Sequence, residues 1–418
     1  MGKTMIEKII GAHTKDEVKP GKVVWMDLDM RTARDFGGAA VVGHLRREYP
    51  DEPLENRYKT AFTFDCNAPA VTIPYANNQH ICRTFAREFG VPLFDVDSGI
   101  GTHVLMEKGL VLPGMTAVGT DSHFNIFGAL GAFGQGMGDV DIAFAMKTGR
   151  TWFEVPPTMK VVIKGTYDYP TTAKDLALCV LGKLGSSGAL GRSVEFFGEQ
   201  VERLDLAERL TFCSLGTEMG AVCCMIPPNS YVLEFCEKQA SDPEAIVRYE
   251  ADPDADYCEV VEIDVEGLQP MMAAPPRPDN VHPVEELAGK EVDSVFIGSC
   301  TNGRFEDFAL AAEFLSGRRL SSGVMVKAVP ATREVYGQLI ASGILEQFHK
   351  SGIIVSHAGC GGCASGQIGM TGKGEVQVST SNRNFPGKQG NGETHLASPL
   401  TAIACAIAGE IVSPGELI

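Results

Sequence analysis

Three cysteines carry the chemistry this sequence offers. Cys300 stands in Gly298-Ser299-Cys300-Thr301-Asn302-Gly303-Arg304, and Cys360 and Cys363 stand in Gly359-Cys360-Gly361-Gly362-Cys363-Ala364-Ser365-Gly366. A Cys-x-x-Cys spacing lets two thiolates reach one metal centre, and the glycines let the backbone wrap a bulky inorganic group with amide N–H groups turned toward sulfide. A structural zinc or a closed iron–sulfur cluster takes four ligands. Three thiolates on a [4Fe–4S] cluster leave one iron open, and an open metal position is a Lewis-acid site. The same Cys-x-x-Cys is also found as a redox dithiol or as half of a zinc site. No second ligand pair for zinc stands out, however, and a thioredoxin-type dithiol opens a helix rather than lying in a glycine-rich loop. The other nine cysteines (66, 82, 179, 213, 223, 224, 236, 258 and 405) fall mostly in apolar runs, where a buried structural thiol is the default.

The elements that must position these thiols read as α/β. Residues 295–298 and 353–357 read as buried strands, so Cys300 and Cys360 lie just past strand C-termini, where open α/β sheets hold ligands. The first stretch repeats the pattern. Strands are predicted over 22–28, 59–64, 91–96 and 115–119, and they run out into Arg34-Asp35, Asp65-Cys66-Asn67, Asp97 to His103, and Asp121-Ser122-His123. Helical periodicity covers 78–89, and the glycine-rich run 128–138 suits close helix packing. A satisfied structural role is the default for any single His or Asp here, but their recurrence at strand ends suggests one wall of a site.

A second unit opens with a strand over 159–163 and continues through a helical segment containing Glu195-Phe196-Phe197. Glu218 lies in small, apolar surroundings, where a carboxylate is either paired structurally or held at raised pKa for proton transfer. Residues 271–283, with Ala-Ala-Pro-Pro-Arg-Pro-Asp, form the best linker candidate. Beyond it the chain reads strand, loop, helix repeatedly, with helices over 305–315, 333–350 and 400–411 and a strand over 375–380. That last strand ends at Ser381-Asn382-Arg383-Asn384-Phe385-Pro386-Gly387-Lys388, a loop whose basic pair can hold carboxylates. The expected division is 1–156, 157–275 and 276–418.

The 418 residues are 44% hydrophobic and carry a formal net charge of -17, which allows sizeable cores and speaks against nonspecific binding to nucleic acid or anionic membrane. Twelve cysteines without framework spacing suggest a reducing, cytoplasmic setting. Residues 1–13 read as a short amphipathic helix, with neither a leader nor an apolar run of about 18 residues anywhere in the chain.

Taken together, Ser-Cys-Thr-Asn-Gly-Arg, Cys-Gly-x-Cys, Gly-Thr-Asp-Ser-His and Ser-Asn-Arg-Asn-Phe make the sequence resemble the aconitase superfamily over essentially the whole chain. It looks most like the large subunits of the two-subunit members: 3-isopropylmalate dehydratase, homoaconitase and 2,3-dimethylmalate dehydratase. The resemblance implies three α/β/α-layered domains around one [4Fe–4S] cluster per subunit, held by Cys300, Cys360 and Cys363, whose fourth iron binds substrate. The reaction it implies is loss and re-addition of water on a substituted malate, a small dicarboxylate. Arg383, Lys388 and Asn302 would serve substrate, with Asn302 a supporting donor beside Cys300. Glu218 and His123 would act near the departing hydroxyl, Asp121 would orient an acid–base group, and Asp65 and His103 complete the implied catalytic set. The swivelling fourth domain of single-chain aconitases, with its serine base, is missing, so a separate small subunit is expected as partner. An RNA-binding regulatory relative is the remote alternative.

Five positions depart from the family pattern. Asp65-Cys66 replaces Asp-His, which leaves the general acid unassigned. Ile100-Gly101-Thr102-His103 shifts a histidine by one position, Lys388 replaces an arginine, Arg34 replaces His or Gln, and Ser214 replaces Asn. These changes give 2,3-dimethylmalate or a related alkylmalate nearly the standing of 3-isopropylmalate.

Overall fold

The computed structural model describes residues 2–50, 52–364 and 367–418, so Ser365 and Gly366 of the cysteine motif lie outside the described residues. Three sheets organise the chain, each assembled from its own stretch of sequence. The first has five parallel strands in the order Leu93–Phe94, Thr60–Thr63, Met30–Arg34, Thr116–Gly119, Phe133–Gly136. The second has four parallel strands, Cys223–Met225, Ser193–Phe197, Thr158–Lys164, Glu259–Asp264. The third has seven, in the order Val281–Pro283, Met271–Ala273, Glu393–Leu396, Val376–Ser379, Ser294–Gly298, Met325–Val329, Ile354–Val355, parallel except around Met271–Ala273.

In a parallel sheet wound both ways from a first strand, the loops on either side of the reversal separate and leave a crevice at the strand C-termini. The first sheet reverses between Met30–Arg34 and Thr116–Gly119, and the third between Ser294–Gly298 and Val376–Ser379. The strand Ser294–Gly298 is buried along its whole length, which explains its unbroken Val-Phe-Ile run. Helix ends follow local chemistry. Thr172 and Asp175 form a capping box at the start of Ala173–Leu184, as do Asp205 and Glu208 at Leu206–Ser214, while Ile73–Phe89 stops at Gly90 in a left-handed conformation.

The structure corrects several expectations. The strand expected over 22–28 is Val23–Asp27, paired antiparallel with Arg150–Glu154 outside the first sheet, and it is the separate strand Met30–Arg34 that ends at Arg34. Glu195, Phe196 and Phe197 lie on a buried strand rather than a helix. The expected linker is an antiparallel hairpin: Met272 faces His282, and Ala273 also pairs with Leu396, so the proline-rich stretch turns the edge of the third sheet. The helix expected over 333–350 is two helices, Arg333–Ala341 and Ile344–Lys350, broken at Gly343 with φ 79°. The glycine-rich run 128–138 holds the strand Phe133–Gly136. Its close packing is against a strand: a Cβ at Gly128 would sit 1.5 Å from the Cys224 carbonyl oxygen, so only glycine lets the first unit touch the second there.

Behind the sheets, Phe124, Phe127, Phe196, Phe212 and Leu215 belong to one apolar cluster spanning the first and second units. Phe196 and Phe212 meet edge to face at 4.6 Å. This shared core holds the strand-end loops of the first two units in fixed relation.

Candidate active site

A cavity of about 310 Å³ opens where the strand-end loops converge, and its walls come from several parts of the chain. Arg34, Cys66, Asp121 and His123 come from the first unit, and Cys300, Cys360, Cys363, Arg383 and Lys388 come from the third. Glu218, on the turn Leu215–Met219 of the second unit, reaches the same place through its partners. His123 Nε2 lies 3.1 Å from Glu218 Oε1, and Arg383 donates Nε–H to that same oxygen at 2.6 Å. Burial would push the Glu218 carboxyl up, but His123 and Arg383 outweigh it and hold it below the usual carboxylate range. Its other oxygen, Oε2, is buried with no partner among the described residues, so an ionised carboxylate presents one unclaimed acceptor.

The three cysteines converge as the sequence predicts. Cys300 follows Ser299, the one described non-glycine residue with a left-handed φ (73°), a kink that turns the thiol away from the strand direction. Asn382 Oδ1 lies 3.5 Å from Cys300 Sγ, and Asn382 itself is held by Ser214 Oγ at 3.1 Å. Gly361, at φ 60°, allows the Cys360–Cys363 turn to press on Phe296, whose ring would lie 2.7 Å from any Cβ placed there. All three thiols are free and line one cavity beside backbone that only glycine or a strained residue adopts. That donor set fits an iron–sulfur cluster held by three protein thiolates.

Around the cysteines the first unit supplies a charge network. Arg34 donates Nε–H and Nη2–H to Asp65 Oδ1 at 2.9 and 2.6 Å, and its Nη1 pairs with Asp121 Oδ1 at 2.9 Å. Its Nη2 also lies 3.0 Å from Cys360 Sγ. Burial pushes Asp65 up to about 6 against the pull of Arg34, with Asp35 and Asp121 adding repulsion. Asp121, equally buried, is held below the usual range by Arg34 and His123. Asp35 fixes the loop beneath, accepting the backbone N–H groups of Asp65, Cys66 and Asn67 at 3.1 to 3.3 Å.

Two expected site residues are placed elsewhere. His103 is fully buried behind Cys300: its Nε2 lies 3.0 Å from the Cys300 carbonyl oxygen, and burial drives its pKa down to about 3. Asn302 turns away from the thiols, donating to Thr211 Oγ1 at 3.2 Å and Asp307 Oδ1 at 2.8 Å, and it lines a neighbouring cavity instead. Asp65 holds the network together but does not itself line the cavity. Arg34 is read from the sequence as a strand-end residue and a departure from the family pattern, not as a site residue. Its signal was its place at a strand end beside two loops rich in acids. Lys174 was not found at all: it reads as a helix residue after a capping threonine, yet its Nζ donates to the carbonyls of Thr380 and Ser381 at 3.0 and 3.1 Å and supports the loop carrying Arg383.

The sequence matches the Aconitase family (aconitate hydratase) over residues 7–409. The chain belongs to the aconitase family. It is a hydro-lyase on that ground, as expected, and the α/β class with aconitase-like units is likewise borne out. It is 42% identical to the 3-isopropylmalate dehydratase large subunit 1 of Methanopyrus kandleri, covering 99% of both chains. It is 39% identical to the probable 3-isopropylmalate dehydratase large subunit of Methanothermobacter thermautotrophicus over the full length of both, and 37% identical to the large subunit from Aquifex aeolicus over 98% of that protein. Among solved structures, Thermococcus kodakaraensis aconitase X in its holo-form superposes with a TM-score of 0.50 at 14% identity, over 90% of this chain and 89% of that one. No helix among the described residues is long and apolar enough to cross a membrane.

Proposed function

We propose that this chain is the cluster-bearing large subunit of a hydro-lyase that dehydrates and hydrates 3-isopropylmalate, with one [4Fe–4S] cluster held by Cys300, Cys360 and Cys363. The observation that carries the reading is the convergence of those three thiols with His123, Arg383 and Lys388 on one cavity, with Glu218 bonded to both His123 and Arg383, in a chain matching dehydratase large subunits end to end. When bound, the cluster supplies a Lewis-acid iron that polarises a substrate oxygen.

The protein groups divide the remaining work. Lys388 lines the cavity, its side chain without an ion pair among the described residues, and holds a substrate carboxylate as a point charge. Arg383, already pinned by Glu218 through Nε, has its other donors available for a second carboxylate. Glu218 holds His123 through Nε2, and His123, in the cavity wall, shares the proton that leaves with water. Asp121 orients His123 by accepting its backbone N–H at 3.0 Å. His103 and Asn302 act as supports behind Cys300, and Asp65 as an anchor for Arg34.

The base that removes the carbon-bound proton belongs, on this reading, to a separate small subunit carrying a swivelling domain with a serine. The name "large subunit" on the relatives supports such a partner. Twelve cysteines without framework spacing fit a cytoplasmic setting. A second substrate, 2,3-dimethylmalate, is favoured by Cys66 and Arg34, which both line the cavity where the family pattern has other residues. Anaerobic assay of the chain co-expressed with its small subunit, scoring alkene formation from 3-isopropylmalate, 2,3-dimethylmalate, homocitrate and citrate, separates these outcomes. Turnover of citrate alone would overturn both.

A further inference from the structure

Arg34 ends the strand Met30–Arg34, which lies inside the first sheet at its reversal. On one side Arg34 is in register with Thr63, two residues before Asp65; on the other, Thr32 is in register with Gly119, two residues before Asp121. The sheet therefore delivers one carboxylate to each flank of the guanidinium at nearly the same depth. A planar fork of five N–H donors can meet both carboxylates at once, which an ammonium cannot do with fixed geometry. The distances agree: 2.6 and 2.9 Å to Asp65, 2.9 Å to Asp121, and 3.0 Å from Nη2 to Cys360 Sγ. The side chain is only 12% exposed, and its backbone N–H is fixed by Thr120 Oγ1 at 3.0 Å. Most of its donors are thus spoken for, which argues against substrate binding and for a role exerted through its neighbours.

We propose that Arg34 is a positioning residue for the cysteine-bound cluster: its guanidinium locks Asp65 and Asp121 in place and donates an N–H···S hydrogen bond to Cys360, setting how tightly the cluster is held and how readily it is reduced. The inference rests on the cluster reading above. A hydrogen bond and a positive charge at a thiolate ligand both stabilise the more negative, reduced cluster and so raise its reduction potential. Removing them does the reverse, and it also leaves two buried carboxylates facing each other across the empty place. The backbone adds to the coupling, because Cys360 donates its own N–H to the Asp65 carbonyl, so a shift of the Asp65 loop moves the ligand directly.

The test uses the two-subunit enzyme, reconstituted anaerobically with iron and sulfide, as wild type, Arg34→Lys and Arg34→Gln. The cluster's reduction potential is measured by electron paramagnetic resonance during redox titration, and iron release to a chelator is followed in the same samples. We expect Arg34→Gln to shift the potential to more negative values and to release iron on the order of 10-fold faster, the range seen when partners of metal ligands are removed. Arg34→Lys keeps the charge, loses the fork and falls between the two. Wild-type values in Arg34→Gln overturn the proposal. If that variant does not fold, Arg34→Lys decides, and wild-type behaviour there overturns the fork. A wild-type enzyme that takes up no iron or sulfide overturns the cluster reading itself, and this inference with it. Loaded wild type with unshifted variants overturns only the role of Arg34.

Discussion

Cys360 donates its backbone N–H to the carbonyl of Asp65 at 2.9 Å, joining a cysteine loop of the third unit to a strand-end loop of the first. Ligand and charge network are therefore one mechanical piece. Replacing a ligand should act on the metal group before it acts on the fold. Cys363→Ser is expected to lose iron and sulfide and at least about 100-fold of activity, whereas Cys258→Ser, at an exposed thiol, keeps all three. Iron and acid-labile sulfide analysis of the two purified variants checks this, and full cluster content in Cys363→Ser would remove that residue from the ligand set.

Glu218 is shared by His123 and Arg383, so its charge serves both placement and proton transfer. Glu218→Gln keeps the shape and removes the charge. Turnover should fall by about 10² to 10⁴, and the half-buried Arg383 charge left without its counter-ion should lower the melting temperature as well. Activity close to wild type would show that the carboxylate only braces Arg383.

Of the cations in the cavity wall, Arg34 and Arg383 are ion-paired, whereas Lys388 has no ion pair among the described residues. Lys388→Ala should raise KM by about 10-fold or more, in line with the loss of a charged hydrogen bond worth about 1.5–3 kcal/mol, with a smaller change in kcat. Lys388→Arg should keep most of the affinity. Steady-state kinetics with each variant distinguishes substrate holding from chemistry. A drop confined to kcat would contradict the assignment.

Lys174 is 1% exposed and donates to the carbonyls of Thr380 and Ser381. Lys174→Met matches its bulk but takes the donor from both carbonyls; Thr380 keeps the Thr301 hydroxyl at 2.7 Å, while the Ser381 carbonyl is left unpaired, at a cost of about 1–3 kcal/mol for an unsatisfied buried group. Because those carbonyls lie on the approach to Arg383, the same variant should lose activity that stabilising additives do not restore. A urea titration combined with the assay tests both halves.

His103 makes acid stability predictable. Its folded pKa, about 3, lies below the ordinary value of 6.5 because burial disfavours the imidazolium. Below pH 6.5 the unfolded chain takes up a proton that the folded chain refuses until about pH 3. Stability from this residue is therefore present above 6.5 and is lost on acidification across that window, with a slope approaching about 1.4 kcal/mol per pH unit. His103→Gln should flatten that limb in urea midpoints measured from pH 7 to pH 4. An unchanged slope would mean that other groups carry it.

Much of this site could be read from the chain because its logic is local. Strand-end loops announce themselves by a switch from apolar runs to Gly, Asp and Ser, and the cysteine spacing states its own chemistry. Three kinds of information were not local. Arg34 is informative only once Asp65 and Asp121 are known to flank it, and that depends on strand order. His103 sits three residues past Ile100 and Asn302 two past Cys300, both cavity-lining positions, and so short a step along the chain is enough to send a side chain behind the wall. The 271–283 segment looked like a linker because prolines break helices. They are equally compatible with an edge hairpin, and it is the backbone pairing of Ala273 with Leu396 that decides.

Arg34 and Cys360, in contact in the folded protein, are 326 residues apart along the chain. During synthesis, at roughly 5–20 residues per second, tens of seconds separate the emergence of the first unit from that of the thiols it must meet. The first two units can finish packing against each other in that interval, with Arg34 already paired to Asp65 and Asp121 but still wet on the side that Cys360 comes to cover. On the cluster reading, delivery is consequently a late event that must follow synthesis of most of the polypeptide, and any interruption of translation before Cys363 yields a chain with folded walls and an incomplete set of thiols.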